Sequence, residues 1–116
     1  METKTKALTI ARIAHDKKAG NIVVLDVRDV CNFTDFFVLA SGDTSNHLRA
    51  VCDEITETLK DSGVTLYGLD GLNAAHWRVL DYGDVVFHCF TDEIRHRYDI
   101  EHLWGDAQSV EWRESS

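Results

Sequence analysis

The stretch Ala74-Ala75-His76-Trp77-Arg78-Val79-Leu80-Asp81-Tyr82-Gly83-Asp84-Val85-Val86-Phe87-His88 constrains this chain's fold more than any other. Two runs rich in β-branched and aromatic residues flank a Tyr-Gly pair. Glycine supplies the backbone freedom that a tight hairpin turn requires. The spacing predicts one strand over 76–82, a turn near Tyr82-Gly83 and a second strand over 84–90. Polar and aromatic side chains crowd at that turn.

The other segments supply the rest of a sheet and its cover. Ala7, Leu8, Ile10, Ala11, Ile13 and Ala14 recur at helical spacing, which predicts a helix over 3–19 with Lys17 and Lys18 in its last turn and Gly20 closing it. The run 22–27 is β-branched and apolar on both faces, as is 33–40, so both read as buried strands. Ser41-Gly42-Asp43 ends the second and leads into a helix, with Thr44 or Ser45 as its N-cap. Leu48, Val51, Cys52, Ile55 and Leu59 form its apolar stripe, and Gly63 stops it. Residues 64–67 read as a short strand and 68–73 as a loop. Thr91 caps a last helix running to about Asp99, with Asp92 and Glu93 favoured by the dipole of its first turn. Residues 100–104 read as a further short helical or extended segment. From Asp106 onward the chain reads as a loose tail, apart from Val110 and Trp112. The expected fold class is α/β (α+β): a single domain with a mixed sheet of about five strands and helices packed on it. Strands and helices do not alternate strictly, which argues against a doubly wound parallel sheet.

Composition narrows the function classes. The chain has 116 residues, no proline and no linker-like stretch, which suits one domain. Its net charge is −8, from 20 acidic and 12 basic residues. That disfavours binding driven by phosphate neutralisation and steers the surface toward basic partners, such as a basic protein on a ribonucleoprotein particle. No apolar run has the length of a membrane span, and residues 1–6 lack the apolar core of a signal peptide. Cys31, Cys52 and Cys89 are odd in number and widely spaced, which suggests neither a disulfide frame nor a zinc knuckle. The cytoplasm is the simplest compartment.

No catalytic set emerges from the residues. Asp81 and Asp84 bracket the turn and could bind a metal or share acid–base work, but turns favour aspartate because its side chain bonds nearby backbone N–H groups. Trp77 reads either as core or as the aromatic anchor of an interface, with core packing favoured by spacing alone. His15, His47, His76, His88, His96 and His102 include no i,i+4 pair on a predicted helix, and His88 sits mid-strand between apolar neighbours. Ser41-Gly42 before a helix is a weak anion-site signal with no phosphate-binding lysine after it. Arg95, Arg97 and Tyr98, with Leu103 and Trp104, read as a polar-aromatic patch or as a helix with a solvated face. A binding module is the better inference from this absence.

Four segments together carry a resemblance. They are Thr34-Asp35-Phe36-Phe37-Val38-Leu39-Ala40-Ser41-Gly42; Gly71 with Ala75-His76-Trp77; Leu80-Asp81-Tyr82-Gly83-Asp84-Val85-Val86-Phe87-His88; and Arg95-x-x-Tyr98-x-x-Glu101-x-Leu103-Trp104-Gly105-Asp106-Ala107. In this order they resemble the ribosomal silencing factor (Iojap) family, over about residues 5–107. The resemblance implies a domain over 1–107 with a C-terminal tail at 108–116, and a fold similar to nucleotidyltransferases without their activity. It implies binding to the large ribosomal subunit through large-subunit protein fourteen. Occupying that face blocks joining with the small subunit and represses translation under nutrient limitation. Homodimers occur in the family, and organellar relatives act in large-subunit assembly. No Asp-x-Asp or Asp-x-Glu follows Ser41-Gly42 on a strand, which suits a non-enzymatic descendant.

The resulting expectation is a partner-binding site without catalytic residues, cofactor or metal, and no contact with membrane or DNA. Trp77 is its apolar anchor, Asp81, Tyr82 and Asp84 are polar contacts, and His76 and His88 are second-rank contacts. Arg95, Tyr98, Leu103 and Trp104 brace the hairpin or form a dimer face. A large-subunit assembly factor is the alternative, followed by a metal-dependent nucleotidyltransferase using Asp81 and Asp84.

Overall fold

The computed structural model describes residues 1–73, 76–99, 102, 105 and 107–113. Its elements are α1 (Thr3–Asp16), β1 (Gly20–Asp26), β2 (Phe36–Gly42), α2 (Ser45–Asp61), β3 (Gly68–Asn73), β4 (Trp77–Asp81), β5 (Val85–Thr91), α3 (Asp92–Tyr98) and β6 (Gln108–Val110). The six strands form one sheet in the order β3-β4-β5-β2-β1-β6. Every neighbouring pair is antiparallel except β2 and β5, which run parallel. That single parallel pair makes the sheet mixed, as its sequence pattern predicts. It requires a long crossover, and α2 lies within it.

The doubly apolar character of β2 follows from its central place. All seven of its residues are buried. The pleat sends Phe36, Val38 and Ala40 to one face, where α1 and α2 cover them. Phe37 and Leu39 go to the other face. The α2 stripe of Leu48, Val51, Cys52, Ile55 and Leu59 is buried as its spacing requires. Thr44, of the two candidates, is the N-cap: its hydroxyl accepts from the His47 N–H at 3.1 Å. Thr91 occupies the N-cap position of α3 without a capping side-chain bond.

Four expectations need correction. Residues 64–67 are not a strand; the chain pairs one step later, where a loop was expected, as β3 against β4. The second strand begins at Phe36 rather than Phe33 and runs through Ser41 and Gly42. The tail is not loose at its start: β6 adds a sixth strand against β1. Beyond it, Trp112 is buried among the helix-side core, its indole N–H donating to the Ile22 carbonyl at 3.1 Å. Gly20 does not close α1. The helix stops at Asp16, and Lys18 takes the left-handed position (φ 70°) while its N–H bonds the His15 carbonyl and the Ala19 N–H bonds Ala14. Helix α2 ends on the same motif, with Gly63 (φ 78°) in the left-handed place. A local scan for glycine finds the second terminus and misses the first. Ile100, Glu101, Leu103 and Trp104, within the expected short segment, lie outside the described residues.

Candidate docking face

The sheet's two faces are covered unequally. Helices α1 and α2 close one of them, whereas on the other the seven-residue α3 packs on β2 and β5 through Ile94, bonds the Asn21 carbonyl of β1 through Arg95 and meets Trp77 of β4 through Tyr98. The part of that second face not under α3 carries a row of rings. Trp77 on β4 stands opposite Phe90 on β5, and Val79 stands opposite His88. The Trp77 ring lies 5.8 Å from Phe90, 6.1 Å from His88 and 5.6 Å from Tyr98 at the end of α3. His88 meets Phe37 edge-on at 5.5 Å, and Phe37 meets Phe33 at 6.0 Å. Phe33 and Tyr98, at the two ends of the row, are 67% and 54% exposed. Trp77, Val79 and His88 are half-buried. A half-exposed aromatic row on an otherwise regular sheet is the kind of surface that interface anchors use.

Trp77 is held in place by hydrogen bonding as well as by packing. Its indole N–H donates to His88 Nδ1 at 3.2 Å. Nδ1 must therefore be unprotonated, which puts the ring proton on Nε2. Burial reinforces this, holding the His88 pKa down at about 4. With its only polar donor committed, Trp77 offers a partner its ring surface alone. Trp77 is thus neither fully core nor fully exposed: it is half-buried, packed against Phe90, His88 and Tyr98. His76, beside it, is exposed, and its carbonyl accepts from the Thr91 N–H.

The turn residues do not join this face as an exposed polar cluster. Tyr82 is 1% exposed and belongs to the helix-side core, so it is not available as a polar contact. Burial, with Cys52 close by, pushes its hydroxyl up to about 12. The hydroxyl is buried without a hydrogen-bond partner among the described residues. Asp81 caps the turn, accepting from the Gly83 N–H at 2.7 Å, where Gly83 takes φ 85°. Asp84 is tied to the start of α1. Lys6 Nζ donates to its carboxylate at 2.7 Å and Thr3 Oγ1 donates to the other oxygen. Partial burial alone would raise the Asp84 pKa, but the Lys6 and Thr3 hydrogen bonds outweigh it and leave the carboxyl below its usual range. The two carboxylates thus serve the turn and the helix. Among the described residues, no group of three His, Cys, Asp or Glu converges on a metal position.

Cys52 and Cys89 are equally unsuited to nucleophilic work. Burial raises the Cys52 thiol to about 12 and pushes Cys89 up as well. Arg95 is structural at the covered end of the second face. Its guanidinium donates to the Asn21 carbonyl at 2.6 Å and to Ser41 Oγ at 2.9 Å, and lies over the Phe90 ring. Ser41 is therefore engaged by an arginine within β2 rather than opening an anion site at a helix N-terminus. Phe33 and Phe37 complete the aromatic row and were not among the expected contacts, whereas Tyr98, expected to brace the hairpin or form a dimer face, packs on Trp77 of the hairpin. Alternation along β2 separates Phe37 from Phe36, but the register that sets Phe37 near His88 is a tertiary property.

Comparison with known proteins accords with this architecture. A Halalkalibacterium halodurans protein named "Ribosomal silencing factor RsfS" is 35% identical over 83% of this chain and 82% of its own length. A mouse protein named "Mitochondrial assembly of ribosomal large subunit protein 1" is 29% identical, over 82% of this chain and 43% of its own. A crystal structure of a Chromobacterium violaceum protein superposes with a TM-score of 0.86 at 29% identity, covering 99% of this chain and 95% of that one. The family described as "Ribosomal silencing factor during starvation" matches residues 1–116, and the chain belongs to that family.

Proposed function

We propose that this chain is a non-enzymatic silencing factor in the cytoplasm. It docks on the large ribosomal subunit through large-subunit protein fourteen and sterically blocks joining with the small subunit. Family membership supports the particle as the target. The observation that carries the docking mode is the half-exposed Trp77, oriented by His88 within an aromatic row whose ends, Phe33 and Tyr98, are exposed. An acidic chain of net charge −8 also suits a basic ribosomal protein as the direct partner. Trp77 is the anchor of the contact. His76, Phe33 and Tyr98 border it, and His88 fixes its orientation.

The test is co-sedimentation of the purified chain with isolated large subunits, followed by addition of small subunits. Pelleting with large subunits and failure of whole ribosomes to form are the expected results. Absence of binding at both low and physiological salt would refute the reading. The name of the mouse relative favours a second reading, an assembly factor that rides on large-subunit precursors. Binding without any block to joining would select it.

A further inference from the structure

Charge along this chain is segregated. Residues 1–18 contain five of its twelve Lys and Arg and only two of its twenty Asp and Glu. The remainder is strongly acidic. At the start of α1 the cations are used within the fold, since Lys6 pairs with Asp84. At its end they are not. Lys17 and Lys18 are exposed and form no ion pair with any described residue. His15 and Arg113 are exposed and, with Arg12, Asp16 and Trp112, line a groove of about 390 Å³ at the last turn of α1. The Arg113 guanidinium lies over the Trp112 ring at 5.1 Å, which fixes the tail's cation next to the helix. Asp16 lines the same groove, Glu111 accepts from the Arg113 backbone N–H, and Asp92 and Asp99 line the neighbouring groove that Arg113 also borders.

The helix ending makes Lys18 more than a solvated charge. It occupies the left-handed position that α2 fills with Gly63. A β-carbon is unfavourable there, so a lysine at this site weakens the terminus it closes. Its complement to the helix dipole would be available equally from Lys17 in an ordinary conformation. The backbone around it is held: His47 Nε2 donates to the Lys17 carbonyl at 2.7 Å while its Nδ1 accepts from Asp43. The result is two adjacent lysines on a fixed turn. Among the described residues, none of the exposed large apolar side chains, Met1, Val30, Phe33, Leu66, Tyr67, Leu69 or Tyr98, belongs to this segment. Protein interfaces concentrate aromatic and apolar groups at their centre, whereas contacts to a phosphate backbone need no apolar centre and draw on Lys, Arg and neutral hydrogen-bond donors.

We infer that the α1 end, Lys17-Lys18 with Arg113, is a second contact surface that binds phosphates of ribosomal RNA. It rests on the docking reading above, and it adds an electrostatic contact with RNA to an aromatic contact with protein.

The experiment measures affinity for isolated large subunits between 50 and 200 mM salt, a range over which phosphate contacts weaken steeply. The chains compared are wild type, the double variant Lys17→Gln/Lys18→Gln, Lys18→Gly and Trp77→Ala. A photo-crosslinker placed at position 17 reports what lies there. The double variant should bind several-fold more weakly at the low-salt end, and its salt slope should fall by about 1 for each lysine removed. Lys18→Gly should melt at or above the wild-type temperature and still lose about 1 in slope, which separates docking from folding. Trp77→Ala should lose affinity with the slope unchanged. Crosslinks to ribosomal RNA support the inference; crosslinks to protein alone overturn it. Unchanged affinity and slope in the double variant overturn it too, while leaving the protein contact standing. If the wild-type chain fails to bind large subunits, the docking reading itself falls.

Discussion

The two faces of the sheet are built from the same alternating strands, yet they differ in use. Under α1 and α2, Leu80, Phe87, Val38 and Val24 are wholly buried. On the opposite face the same strands present Trp77, Val79 and His88 only half-buried. Both faces bury a cluster, but among the described residues the second also retains half-exposed apolar surface at Trp77 and Val79. The difference arises from helix length. The 14 residues of α1 and 17 of α2 together pack on β1, β2, β4 and β5, while the second face has, among the described residues, the 7 of α3.

The sharpest way to break this comparison is to truncate one residue on each face. Leu80→Ala on the closed face should cost about 2–5 kcal/mol of unfolding free energy, read by denaturant titration, because it leaves a cavity between sheet and helices. Trp77→Ala should instead weaken binding to large subunits by about 2 kcal/mol or more, while its thermal melt shifts less than that of Leu80→Ala. If Trp77→Ala unfolds the chain as readily as Leu80→Ala, the two faces are not distinct in the sense argued here.

Asp84 tests the seam that joins the hairpin to the closed face. Asp84→Asn should lower stability by about 1–3 kcal/mol, because the buried Lys6 ammonium loses its charged partner. The sign with pH follows from the depressed carboxyl. The pair's contribution is complete above the ordinary aspartate range and is lost as pH falls through the lower folded value, so the variant should lack this acid-limb loss. Urea midpoints of both chains from pH 6 to 2 measure it.

His88 sharpens the open face. Its folded pKa of about 4 lies below the ordinary value of 6.5. Above 6.5 neither the folded nor the unfolded state is protonated and stability is full. Between 6.5 and about 4 only the unfolded chain gains the proton, so stability falls. By pH 5 the loss should be about 1 kcal/mol, allowing for partial exposure, and His88→Gln should abolish that component. Tryptophan fluorescence of the folded chain should change only as pH falls through about 4, since Nδ1 accepts the Trp77 N–H until folded His88 is protonated.

The smallest expected effects lie at the helix ends. Gly63→Ala should destabilise by about 1 kcal/mol, since φ 78° disfavours any β-carbon. Lys18→Gly at the matching site of α1 should shift stability the other way by about 0.5–1 kcal/mol. Opposite signs in two chemical denaturation curves would establish that the two termini share one geometry and differ in purpose.

Much of this fold is written locally. Helical spacing in 7–14 and 48–59, double-sided apolarity in 22–27 and the Gly83 turn each specify an element from neighbours in sequence, because backbone periodicity and turn stereochemistry act over a few residues. The errors fall where a partner strand decides. Residues 68–73 contain two glycines and read as loop, yet pairing with β4 makes them an edge strand. Gln108–Val110 lacks strand character of its own and acquires it from β1. Tyr82 looks like a turn residue on display and is core, because the turn folds back beneath α2 rather than away from it.

By itself, then, the sequence determined the hairpin, the helices' apolar stripes, the acidic balance and Trp77 as the residue to watch. Local sterics and burial periodicity suffice for those. Only the tertiary structure decided which face stays open, that His88 orients Trp77, that Phe33, Phe37 and Tyr98 join it, and that Lys18 rather than glycine closes α1. Those depend on strand register, helix reach and long-range hydrogen bonds between residues distant in the chain, and no local pattern encodes them.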